Sequence, residues 1–150
     1  GLQGQAEFVV QACNGLALAI EQSTLPQQSE AAQQRIGELL ATYTSGMGPF
    51  GAAPGQIDTL VLGCTHYVFV QETLQTLLGP SVQMVSTGEP VARHTRRLLE
   101  TAGLLRSGPA PASAAARLSL FTTGDLHGLQ AAAQRWLGLP ASSGHADRGA

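Results

Sequence analysis

From residue 29 the chain reads SEAAQQRIGELLATYT, where Ala32, Ile36, Leu39, Leu40 and Tyr43 fall at offsets of four, seven, eight and eleven. That spacing is the apolar stripe of an amphipathic helix. Ahead of it, EFVVQAC (residues 7–13) is a β-branched run that predicts a strand, and GLALAIEQ predicts a helix after it. Gly46, Gly48, Pro49, Gly51, Pro54 and Gly55 mark a loop. IDTLVLGC (residues 57–64) is apolar almost throughout and predicts a parallel strand covered on both faces. A helix over about residues 69–78 follows, closed by Gly79 and Pro80.

The alternation continues through SVQMVS, a short strand, into EPVARHTRRLLETAG, a helix with Pro90 in its first turn and Gly103 past its end. RSGPAPASAAA (residues 106–116) has little to bury and predicts a linker. RLSLFTTGD then alternates as a strand and turns at Gly124 into a last helix, with Leu126, Leu129, Ala133, Trp136 and Leu137 on one face. Residues 140–150 predict a disordered tail. Strands alternating with helices point to an α/β fold, an open and mostly parallel sheet with flanking helices.

Composition narrows the classes. A chain of 150 residues suits one domain or part of a larger one. With 43% hydrophobic and only 12% charged residues, part of its apolar surface is expected to meet a partner. All eight basic residues are arginines, scattered over a chain of net charge −2, which gives no footprint for nucleic acid or an anionic membrane. The densest basic cluster, RHTRR at residues 93–97, reads as a solvated helical face. No apolar run is long enough to span a bilayer, and two cysteines 51 positions apart form neither a disulfide framework nor a zinc pattern. The expectation is a cytoplasmic protein without a metal site. The chain starts without a methionine and almost at once in a predicted strand, so it is expected to be a piece of a longer protein.

Candidate chemistry gathers where the residue 57–64 strand ends. Ligands of open α/β sheets collect beyond the carboxyl ends of parallel strands, and Cys64, Thr65 and His66 stand there in succession after Gly63. A helix N-terminus and an adjacent imidazole are the surroundings that activate a thiol, while Thr65 offers a hydroxyl and a backbone N–H to a carboxylate. On these residues alone two readings stay open for Cys64, a reactive thiol or a small buried hydrophobe. Cys13 ends the residue 7–13 run with no basic neighbour and invites the second reading more strongly.

IDTLVLGCTHYVFV resembles the second catalytic signature of glutamate racemases, a strand followed by G-C-T-H-Y-P. QACNGLALAIE resembles the family's A-C-P segment, with Glu21 eight residues after Cys13 as in the family pattern. VSTGEPVARHTRRLL is similar to its D-S-G-E segment, and LFTTGDLHGLQAAAQRWLG to its closing F-x-T-[ST]-G-D segment. The four occur in family order over roughly residues 7–139, which makes the likeness far more specific than any one motif.

The resemblance implies cofactor-independent inversion of glutamate by two opposed cysteines, one removing the α-proton and the other returning a proton from the opposite face. It implies Cys64 as one acid/base, His66 as its assisting group, Glu21 as a carboxylate near the site and Thr65 as a substrate-binding residue. It also implies a role in supplying D-glutamate for peptidoglycan, and leaves homodimer formation open. The family's other cysteine belongs to an A-C-N-T segment in an N-terminal half. ACNG at Cys13 imitates that segment, but Glu21 stands in register for the later one and Cys64 follows too closely for the catalytic pair. The chain therefore resembles a C-terminal half. On that analogy residues 1–86 form part of a second domain, while 87–139 pack on an absent first domain. Val68, Asn14 and Ser86 with Thr87 depart from the family pattern, at two prolines and a D-S pair. A racemase of aspartate or another amino acid, and a non-catalytic binding remnant, are the alternative readings.

Overall fold

The computed structural model describes residues 6–106, 108, 118–140 and 144–146. In chain order it contains α1 (Leu16–Gln22), α2 (Ser29–Met47), β1 (Thr59–Leu62), a 3-10 turn (Tyr67–Val70), α3 (Gln71–Leu78), β2 (Gln83–Ser86), α4 (Gly88–Thr101), β3 (Leu120–Thr122), α5 (Leu126–Leu137) and β4 (Gly144–Ala146). The architecture is α/β, with short parallel strand pairs flanked by helices and, among the described residues, no closed sheet.

The core forms where the periodic positions of α1 and α2 meet the strand-helix unit that follows. Leu16 and Ile20 of α1, Ile36, Leu39 and Leu40 of α2, and Leu62, Val70 and Leu74 are buried in one cluster. Burying each such side chain fully is worth about 1.5–3 kcal/mol, so this cluster dominates the fold's stability. The stripe expected on α2 is the face that packs, with Tyr43 half-buried and Thr44 added at its end.

β1 and β2 pair in parallel, Thr59 opposite Gln83 through Leu62 opposite Ser86. Parallel neighbours need a crossover, and the 3-10 turn with α3 supplies it. Gly79 ends α3 at φ 87°, a backbone conformation that favours glycine. The Gln75 amide then donates to the carbonyls of Gly79 at 2.7 Å and Val82 at 3.1 Å, fastening the helix end to the start of β2.

Two expectations differ from this arrangement. Residues 7–13 form no strand: Phe8 is 73% and Val10 93% exposed, because β-branched residues favour extended backbone but a strand exists only where its N–H and C=O groups find a ladder. β1 is covered on one face rather than two, with Leu62 buried and Val61 exposed, since no described layer lies over its other side. Further along, Gly144–Ala146 pairs in parallel with β3, Leu120 opposite Gly144 through Thr122 opposite Ala146.

The helices after β2 divide. α4 buries no residue, and Val91, Leu98 and Leu99 of its apolar stripe are exposed. α5 starts at Asp125, whose carboxylate accepts from the backbone N–H groups of His127 at 3.3 Å and Gly128 at 2.7 Å. Its Trp136 stacks on Phe69 of the 3-10 turn, centroids 4.5 Å apart and planes 18° from parallel. Arg135 covers that indole at 4.7 Å and donates to the Ser23 carbonyl just beyond α1. The expected linker, residue 106 excepted and Gly108 apart, lies outside the described residues, as do 141–143 and 147–150 of the tail.

Candidate active site

β1 ends at Leu62, and the chain turns through Gly63 into Cys64, Thr65 and His66 before the 3-10 turn begins. This tight return is held by the Tyr67 N–H donating to the Cys64 carbonyl at 3.1 Å and Phe69 N–H donating to that of His66 at 3.1 Å. Cys64 and His66 are thereby half-buried on the same side, with Cys64 Sγ 3.8 Å from His66 Nδ1. Thr65 is exposed at the tip of the turn.

Glu21 reaches this turn from the last part of α1. Its Oε1 lies 2.8 Å from His66 Nε2, across 45 residues of sequence. A carboxylate only accepts hydrogen bonds, so Nε2 carries the proton given to Glu21. In the neutral imidazole this leaves the Nδ1 lone pair facing the Cys64 thiol. The three residues thus form a relay in which a thiol proton can pass to a ring whose tautomer and orientation a carboxylate sets. With Glu21 61% and His66 31% exposed, the contact adds little stability; its consequence is geometric.

Cys13 lies nearby but differs in kind. Burial pushes its thiol up, the neighbouring Cys64 adds to the rise, and the Tyr67 hydrogen bond opposes them without prevailing. Its Sγ donates to the Gln11 carbonyl at 3.6 Å. A raised thiol is a weaker source of thiolate than an ordinary one. Burial likewise raises the Tyr67 phenol to about 12, aided by Cys13 and Cys64, so Tyr67 stays a hydrogen-bond donor through the neutral range. Both cysteines are free.

A cavity of about 450 Å³ opens beside the relay. Glu21, His66 and Phe69 line it together with Leu129 and Trp136 of α5 and the Asp125 that caps that helix. Reading the sequence did not single out Asp125 or Tyr67 for the site. Among the described residues no group of three or more His, Cys, Asp or Glu could hold a metal ion. Nor is any described helix long and apolar enough to cross a membrane.

No protein-family model matches the chain. Curated relatives do. It is 38% identical over 122 residues to the glutamate racemase of Herpetosiphon aurantiacus, covering 81% of this chain and 42% of that protein. With the glutamate racemase of Pseudomonas syringae pv. tomato it shares 40% over 104 residues, covering 68% of the chain and 33% of the relative. For that of Ralstonia pickettii the figures are 35% over 138 residues, 92% and 43%. A crystal structure of a glutamate racemase isoform from Bacillus anthracis superposes with a TM-score of 0.65 at 26% identity, covering 91% of this chain and 44% of that one. The chain spans less than half the length of the relatives it matches. Sequence and fold agree in one assignment: the chain belongs to the glutamate racemase family.

Proposed function

We propose that this chain supplies one side of the active site of a cofactor-independent, cytoplasmic glutamate racemase that provides D-glutamate for peptidoglycan. Cys64 is one of two thiol acid/bases, His66 receives and returns its proton, Glu21 orients His66, and Thr65 binds the substrate carboxylate. A thiol suits the task because it serves as acid or base near neutral pH. The opposing cysteine belongs to a part of the protein outside this chain. The exposed apolar stripe of α4 is part of the surface on which that remainder packs, and residues 1–86 belong to the domain carrying the GCTH turn.

The observation carrying this reading is the relay itself, Sγ to Nδ1 at 3.8 Å and Nε2 to carboxylate at 2.8 Å, at the carboxyl end of a parallel strand. Circular dichroism of L-glutamate and, separately, L-aspartate incubated with the gene product containing this chain tests it. Glutamate loses its optical activity and aspartate does not. Cys64→Ser lowers the rate about 10³-fold. Full activity in that variant would sink the catalytic assignment, and turnover of aspartate alone would replace the substrate.

A further inference from the structure

The chain has two tyrosines, and both give their hydroxyls to one place. Tyr67 donates to the Cys13 carbonyl at 3.4 Å, and Tyr43 of α2 donates to the Asn14 carbonyl at 2.8 Å. These adjacent carbonyls lie just ahead of α1, where Gly15 at φ 80° turns the chain and the Cys13 carbonyl also accepts the Leu16 N–H at 3.2 Å. At seven residues α1 is too short to be stable alone, so its direction depends on what holds it. Its buried side is gripped by the core; its start is gripped by the two hydroxyls. Glu21 stands near its other end.

Tyr67 ties both halves of the relay together. Its backbone N–H bonds the Cys64 carbonyl, it directly follows His66, and its side chain reaches the segment that launches the helix bearing Glu21. Tyr43 fastens that same segment to α2, which carries three of the core's large aliphatic residues.

We propose that Tyr43 and Tyr67 are positioning residues, which hold the start of α1 so that the Glu21 carboxylate meets His66 and the imidazole meets Cys64. This rests on the relay assigned under the proposed function and extends it to two residues whose hydroxyls bond backbone carbonyls ahead of α1. Both hydroxyls act through the placement of Glu21, so the part of their effect that passes along the relay exists only while Glu21 is charged and present.

The test is a mutant cycle on this chain, reading the rate of Cys64 alkylation by iodoacetamide, with peptide mass mapping to separate Cys64 from Cys13. Glu21→Gln keeps an acceptor but removes the charge, and slows Cys64 alkylation about fivefold and alters its pH–rate profile. In the Tyr43→Phe/Tyr67→Phe background the same change is nearly without effect on either, because the carboxylate has already left His66. Each single Tyr→Phe variant gives an intermediate coupling, and the singles decide the matter should the double variant fail to fold by circular dichroism. An undiminished fivefold effect of Glu21→Gln in the folded Phe backgrounds would overturn the positioning role and leave the relay standing. No effect of Glu21→Gln with both tyrosines present would overturn the relay, and the positioning role with it.

Discussion

α2 and α4 carry the same kind of pattern and meet different fates. Each is an amphipathic helix, 19 residues in one case and 14 in the other, yet α2 buries five residues and α4 none. The stripe of α2 lies against α1 and the residues around β1, so water leaves both surfaces and the hydrophobic gain is realised. The stripe of α4 faces no described element, and its surface is knit instead by exposed ion pairs, Arg93 with Glu89 and Arg96 with Glu100 at 3.1 Å. Such pairs add a few tenths of a kcal/mol each to the helix and nothing to a core. Periodicity therefore specifies which face is apolar, and a partner decides whether that face is worth anything.

The contrast breaks most sharply at Ile36, 3% exposed in the centre of the α2 stripe. Ile36→Ala removes buried methyl and methylene groups and leaves a cavity, and lowers unfolding free energy by about 2–5 kcal/mol in urea denaturation. A loss under 1 kcal/mol would mean that the α2 stripe is no better packed than that of α4. α5 lies between the extremes, held by its stack on Phe69 and by its cap. Asp125→Ala removes the acceptor for two backbone N–H groups and costs about 1 kcal/mol, measured the same way.

A further effect comes from pH. Tyr67 has a folded value of about 12 against an ordinary 10.0, so the folded state holds its proton longer than the unfolded state. The stability this gives is complete below pH 10.0 and is lost as pH rises toward about 12. Thermal melts followed over that interval show a decline that Tyr67→Phe lessens; identical slopes for the two proteins would show that the phenol is not held. The smallest effect is at Leu98, 55% exposed on α4, where Leu98→Ala changes stability by no more than about 0.5 kcal/mol in this chain. With the proposed remainder of the racemase in place the same substitution costs more, because the proposed function sets a partner surface over α4. Equal and negligible costs in both proteins would remove that surface from the proposal.

Much of this was legible in the residues. The α2 stripe, the strand before GCTHY, the glycine closing α3 and the helix from Leu126 all come from local spacing or local turn chemistry, which neighbouring residues largely settle among themselves. The motifs were legible too, since Cys64 and His66 are two positions apart on one tight turn. Residues 7–13 show the limit: EFVVQAC has the composition of a strand, and its neighbours in space provide no ladder. The same limit applies at β1, where an apolar run could not say that only one side of the strand would be covered.

By itself, then, the sequence determined the succession of elements from α1 to α5, their apolar faces and the chemical identity of the GCTH turn, because each depends on residues close along the chain. Only the tertiary structure decided that Glu21 meets His66 from 45 residues away, that both tyrosine hydroxyls converge ahead of α1, and that α2 is buried while α4 is not. Those outcomes depend on how separate elements pack, and packing distances of a few ångströms are not written in periodicity.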